Sequence, residues 1–98
     1  MQVFLNVTQF GMELQQAIEA PRAGTFSFPN SFAPHEYFPG RLCVEARVAP
    51  DTIAELKRRG HDVQVWPERA WSAGAVCAIR HNAETGLLEA GADPRREA

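Results

Sequence analysis

This 98-residue chain has no cysteine cluster, no glycine-rich loop and no excess of positive charge. Two cysteines, Cys43 and Cys77, cannot build a disulfide framework and do not form a CxxC pair. A zinc site needs closely spaced ligands, and Cys43, Cys77, His35, His61 and His81 are scattered along the chain. Both cysteines are therefore expected to be small, packed thiols. No two glycines stand two residues apart and no Gly-Lys-Ser/Thr occurs, which excludes a phosphate loop. There is no Gly-x-Ser-x-Gly elbow, no HExxH and no calcium loop. Glu36, Glu45 and Glu84 show no spacing that argues for a catalytic pair. A net charge of −2 and a pI near 5.9 give no electrostatic case for nucleic acid or an anionic membrane. The longest apolar-plus-glycine run, Ala73 to Ile79, is far too short to span a bilayer. The opening MQVFLNV carries no positive charge before its apolar residues, so it does not read as a signal peptide, and a cytoplasmic location is the default expectation.

What is present suits a folded chain. Hydrophobic residues make up 45% and charged residues 22%, which argues against disorder. The length allows one domain at most, so residues 1–98 are taken as a single domain with a modest core. Met1 to Gln9 is apolar nearly all round (Met1, Val3, Phe4, Leu5, Val7), the pattern of a buried helix, with a strand as the alternative for so short a run. Nothing before it caps that helix, which suggests a pattern entered part-way. Gly11 breaks it. In the next stretch Phe10, Leu14, Ala17 and Ile18 share one helical face, and Glu13 suits the positive end of the dipole. Ala20 precedes Pro21 and is pushed out of the helical region, so the chain turns at Ala20-Pro21-Arg22.

Thr25 to Phe28 alternates as a strand does, and Pro29, Pro34, Pro39 and Gly40 then mark an extended loop. Phe32, Tyr37 and Phe38 in that loop either cover this chain's own sheet or form an interface or lid. Arg41 to Val48 alternates clearly, with Leu42, Val44, Ala46 and Val48 on one face and Arg41, Cys43, Glu45 and Arg47 on the other. Pro50 to Arg59 is expected to be a helix, begun by Pro50 or by a Thr52/Glu55 capping box. Lys57, Arg58 and Arg59 favour the dipole at its end, and Gly60 stops it. Strands follow at Asp62 to Trp66, at Gly74 to His81 and, after a turn at residues 82–86, at Leu87 to Ala90. The Gly74 to His81 strand is apolar on both faces, so both should be covered. His61 has no partner nearby in sequence and is expected to be structural or exposed. The order of elements indicates an α+β fold with a mostly antiparallel sheet and helices packed on it.

Three segments carry a family resemblance. Asn6-Val7-Thr8-Gln9-Phe10-Gly11-Met12, followed by Leu14-Gln15-Gln16-Ala17-Ile18-Glu19-Ala20-Pro21-Arg22, resembles the C-terminal part of the γ-glutamyltransferases, also called γ-glutamyltranspeptidases or glutathione hydrolases. Pro50-Asp51-Thr52-Ile53, running to Arg59-Gly60-His61-Asp62-Val63, is similar to that family's last helix and the strand after it. Gly91-Ala92-Asp93-Pro94-Arg95-Arg96 is similar to its closing motif. The resemblance implies a partial αββα layer of an N-terminal-nucleophile hydrolase. It implies a parent reaction in which an N-terminal threonine takes the γ-glutamyl group of a donor, with glutathione the implied donor, and passes it to water or an amine. No cofactor is implied.

The four threonines, Thr8, Thr25, Thr52 and Thr85, lack the family's nucleophile context, and no two glycines are adjacent to form its oxyanion hole. No catalytic, cofactor or metal residue is therefore carried over. Arg22, Asp93 and Arg95 match family-motif positions and are read as structural turns or ion pairs of the weak, exposed kind. The expected function is the C-terminal structural portion of such an enzyme, inactive alone, partnered by the rest of the parent or by its catalytic chain, or self-associating through Met1 to Phe10. The alternative is a stand-alone binding module, or a partner subunit, that uses Phe32, Tyr37, Phe38 and Trp71.

Overall fold

The computed structural model describes residues 1–96. They form two compact units, one from Met1–Ala20 with residues 74–96 and one from Pro21–Ala73. The units are called outer and inner here from their positions along the chain.

The inner unit is a three-stranded sheet in the order β1 (Ala23–Thr25), β2 (Arg41–Glu45), β3 (Asp62–Trp66). Strand β1 runs antiparallel to β2, with Gly24 opposite Cys43. Strand β3 runs parallel to β2, from Arg41 opposite Asp62 to Glu45 opposite Trp66. A parallel neighbour needs a crossover, and the helix Pro50–Arg58 supplies it. Pro50 stands in its first turn and Thr52 makes no side-chain cap. Of the two starts open from the sequence, the proline start is therefore the one adopted. Gly60 ends the helix at φ +95, a conformation that costs glycine nothing.

As the middle strand, β2 is covered on both faces: Cys43, Val44 and Glu45 are all buried. This corrects the expectation that Glu45 lies on an open polar face. Strands β1 and β3 close its two edges, and the loop after β3 brings the Ala70 N–H onto the Glu45 carboxylate. The strand expected through Phe28 stops at Thr25. Phe26 packs edge-on against Trp66, ring centroids 6.1 Å apart, and the Arg41 guanidinium lies 3.9 Å over the Phe38 ring. Phe28, Phe32 and Tyr37 point outward, at 77%, 80% and 52% exposure.

The outer unit contains the helices α1 (Gln2–Thr8) and α2 (Leu14–Glu19) and the antiparallel hairpin β4 (Cys77–His81) with β5 (Leu88–Ala92); the Pro50–Arg58 helix is α3. Glu13 caps α2, its carboxylate accepting the N–H groups of Gln15 and Gln16 at 2.7 and 3.3 Å. Leu14, Ala17 and Ile18 are buried as the periodicity requires. Phe10 is not; it sits before the helix and is 68% exposed. No residue of α1 is buried, and Phe4 is 65% exposed, which corrects the buried-helix reading. Asn6 joins the two helices, its Nδ2 donating to Ala17 O at 3.3 Å and its backbone oxygen accepting from Met12 N at 2.9 Å. The turn expected at residues 82–86 forms, with Asn82 Oδ1 accepting from Glu84 N and Thr85 N.

Candidate functional site: two buried carboxylates and the motif arginines

Each unit buries one carboxylate, and the three family-motif residues gather round them. In the inner unit Glu45 has no exposed surface. Its Oε2 accepts the Arg22 backbone N–H at 2.9 Å and its Oε1 accepts the Ala70 N–H at 2.9 Å. The Arg47 guanidinium reaches Oε2 at 3.3 Å, and its Nε donates to Glu68 O at 2.8 Å. The Arg22 backbone completes the tie, because Arg22 O accepts from Glu45 N at 3.0 Å. Arg22 is itself buried, and its Nη1 donates to Ala73 O at 3.3 Å. One glutamate thus fastens both the segment entering the sheet and the loop after β3 onto the central strand. A buried carboxylate is tolerated because donors surround it.

In the outer unit Asp93 and Arg95 form a buried pair at 3.1 Å, with the side chains 1% and 0% exposed. Asp93 Oδ1 also accepts Arg95 N at 3.0 Å, and Oδ2 accepts Val76 N at 3.0 Å. Arg95 donates onward to Ile18 O and Ala20 O, both at 2.9 Å. Those carbonyls belong to the end of α2, where the last turn has no intrahelical donors. The guanidinium also places positive charge at the negative end of the dipole. The pair is therefore not the exposed, weak kind expected from sequence.

The sequence reading placed Arg22, Asp93 and Arg95 at motif positions and missed Glu45. The signal that finds Glu45 is the strand–helix–strand spacing of 41–48, 50–59 and 62–66, which makes β2 a covered parallel strand. The histidines are not gathered: His61 and His81 are exposed, and His35 holds Asn30 O at 2.8 Å within its own loop. Among the described residues no group of three or more His, Cys, Asp or Glu is placed to hold a metal ion. No helix among them is long and apolar enough to cross a membrane. Burial pushes the Cys43 thiol above its ordinary range, with Arg41 opposing and Asp62 adding to the shift.

The family model for gamma-glutamyltranspeptidase matches residues 1–98. The chain belongs to that family. It is 36% identical over 93 residues to the glutathione hydrolase-like YwrD proenzyme of Bacillus subtilis, covering 95% of this chain and 16% of that protein. It is 46% identical over 57 residues to the oxamate amidohydrolase proenzyme of Klebsiella pneumoniae, covering 55% of this chain and 10% of that one. The solved structure of LmbA2991HD superposes with a TM-score of 0.85 at 45% identity, over 96% of this chain and 17% of the other. Gamma-glutamyltranspeptidases of solved structure share the fold, so the α+β arrangement is a portion of the N-terminal-nucleophile-hydrolase fold. The family member thus spans about a sixth of the first curated relative.

Proposed function

We propose that this chain is the C-terminal structural portion of a γ-glutamyltransferase-like enzyme, and that the parent hydrolyses or transfers a γ-glutamyl amide. The nucleophile and the oxyanion donors belong to polypeptide outside these residues. The observation that carries the reading is the match over the full 98 residues to a family whose curated relative is only 16% covered. The geometry supports it. Arg22, Asp93 and Arg95 hold backbone groups of this chain: Ala73 O, Val76 N, Ile18 O and Ala20 O. Their role is to keep two segments of an enzyme scaffold in register. Glutathione is the donor to test first, because one relative is named for it; the other is named for oxamate, so amide hydrolysis is the chemistry they share.

The test has two parts. The reading frame around the gene is sequenced, and the encoded protein is assayed with a γ-glutamyl anilide. The expected result is a longer frame, or a companion gene, that encodes a threonine nucleophile context and a Gly-Gly pair, with turnover by that protein and none by the pure 98-residue chain. Turnover by the 98 residues alone overturns the reading. So does a gene of this length with no such companion.

A further inference from the structure

The Gln15 carboxamide stands on β5 where a neighbouring strand would stand. Its Nε2 donates to Ala92 O at 3.0 Å, and its Oε1 accepts from Ala92 N at 3.1 Å. One side chain thus takes both hydrogen-bonding groups of one strand residue, as the facing residue of an antiparallel strand does. Gly91 leaves room for this approach, because a Cβ there would lie 3.1 Å from Gln15 Oε1. The position that Gln15 takes is on the outer edge of the hairpin. Along an antiparallel strand, residues turn their N–H and C=O groups alternately to one neighbour and to the other. Asn82 N donates to Leu87 O at 2.9 Å, so Leu87 bonds inward across the hairpin. Counting by twos along β5, Glu89 and Gly91 also face β4, whereas Leu88, Ala90 and Ala92 face outward. The hold of Gln15 on Ala92 agrees with that phase.

We infer that Gln15 is an edge guard, an intramolecular contact that keeps β5 from pairing with β5 of a second copy of this chain. Two features of the strand select that occupant. The sequence LEAGA holds no lysine and no proline, the residues that usually protect an edge. Its outward residues are also spaced evenly about Ala90, so the edge is self-complementary. A second copy laid antiparallel, with Ala90 opposite Ala90, sets Leu88 of each copy against Ala92 of the other. Gln15 takes the Ala92 position in each copy. Both outer pairs of that ladder are then lost, and the central pair alone does not offset the cost of bringing two molecules together.

The experiment uses the whole product of the reading frame. Gln15→Met keeps the bulk of the side chain and removes both bonds. Gln15→Asn keeps the amide and shortens its reach by a methylene. Hydrogen exchange, resolved to single residues, follows the Ala92 amide, with the inward-facing amides of Glu89 and Gly91 as the check that the hairpin is folded. At low concentration Ala92 is expected to exchange at least about tenfold faster in both variants than in the wild type, with Glu89 and Gly91 unchanged. As concentration rises, sedimentation should show the variants alone moving toward twice the mass, while the Ala90 and Ala92 amides regain protection together. Equal Ala92 exchange in wild type and variants overturns the inference, because Gln15 then does not hold the edge. A freed Ala92 amide without association overturns it too, as does association in which Ala90 and Ala92 stay unprotected. Loss of protection at Glu89 and Gly91 in both variants also overturns it, since Gln15 would then support the hairpin rather than guard its edge. None of these outcomes bears on the function proposed above.

Discussion

The inner unit buries its carboxylate in the middle of a sheet, whereas the outer unit buries its own beside an arginine at the end of a helix. Glu45 is held chiefly by backbone N–H groups from segments far apart in sequence, with Arg47 reaching in from a quarter-exposed position. Asp93 is held by its neighbour Arg95, and the arginine then reaches the α2 carbonyls. The difference follows from what each unit has to cover. The inner sheet has a helix crossover and a central strand buried on both faces. The outer hairpin has α2 against one face only, and its polar ties join the segment after β5 to the end of that helix.

Breaking each tie in turn tests that contrast, and the largest effect is expected at Arg95. Arg95→Ala leaves a buried carboxylate without its counter-charge and strands the last carbonyls of α2, a loss of about 3–5 kcal/mol. Glu45→Ala removes the charge with the tie and leaves two backbone N–H groups unmatched, so about 2–4 kcal/mol is expected. Urea unfolding midpoints of the purified variants measure both. If Glu45→Ala proves the costlier, the inner unit depends on its carboxylate more than the outer unit depends on its ion pair, and the contrast reverses.

Close glycine contacts give the next comparison. A Cβ at Gly91 would lie 2.7 Å from Ile18 Cδ1, and Ile18 has no exposed surface in which to move. A Cβ at Gly24 would lie 3.0 Å from the edge of the Trp66 ring. Gly91→Ala is therefore expected to cost about 1–3 kcal/mol, and Gly24→Ala less, as overpacking costs scale with what cannot shift. Equal losses in thermal melts would mean that α2 can retreat from the hairpin.

The two cysteines report on cover directly. In the 98-residue chain Cys77 is exposed and Cys43 is buried, so an alkylating reagent should modify Cys77 in the native state and Cys43 only in denaturant. Burial raises the Cys43 pKa above the ordinary value of about 8.5, so its stabilising contribution is complete below that pH and is lost as pH rises through the folded pKa. Cys43→Ala should flatten the alkaline side of the stability profile. A native Cys43 that reacts as fast as Cys77 would show that the central strand is not closed.

How far these features could be read from the sequence depends on the kind of signal. Leu14, Ala17 and Ile18 were legible because a helical period and a following proline agree. The hairpin turn at residues 82–86 was legible from its turn residues. The cover of a face was not. Met1 to Gln9 and the β4 strand are apolar, and apolar residues were taken as buried, but periodicity records which residues share a side and not what lies against it. Glu45 was unread for the converse reason: alternation assigned it to a polar side, and the backbone groups that enclose its carboxylate, Arg22 N and Ala70 N, lie more than 20 residues away in sequence. The Asp93-Pro94-Arg95 motif was visible, but its burial was not, because the segment that encloses it, the end of α2, is more than 70 residues away in sequence. The family resemblance was legible because it rests on residue identity in order rather than on cover.

The smallest effect belongs to a charge cluster with no cover at all, and it sharpens the contrast with the buried carboxylates. On α3 the Glu55 carboxylate accepts from Arg58 at 2.6 and 2.5 Å and from Arg59 Nε at 2.8 Å. These bonds, Arg58 first and Arg59 second, hold the Glu55 pKa below its ordinary value and raise that of Arg58. A depressed folded pKa means the contribution is present above the unfolded value of about 4.3 and is lost as pH falls through the folded one. Water and salt reach every member, so the cluster is screened where Glu45 and Asp93 are not. An NMR titration of the Glu55 carboxyl should show the depression at low ionic strength and its near disappearance at about 1 M salt, where the screening length falls to about 3 Å. Glu55→Gln should shift the acid limb of the stability profile slightly and only at low salt. A depression that survives high salt would mean that the cluster is shielded from solvent, and that the inner unit has more cover over α3 than the exposure of its arginines allows.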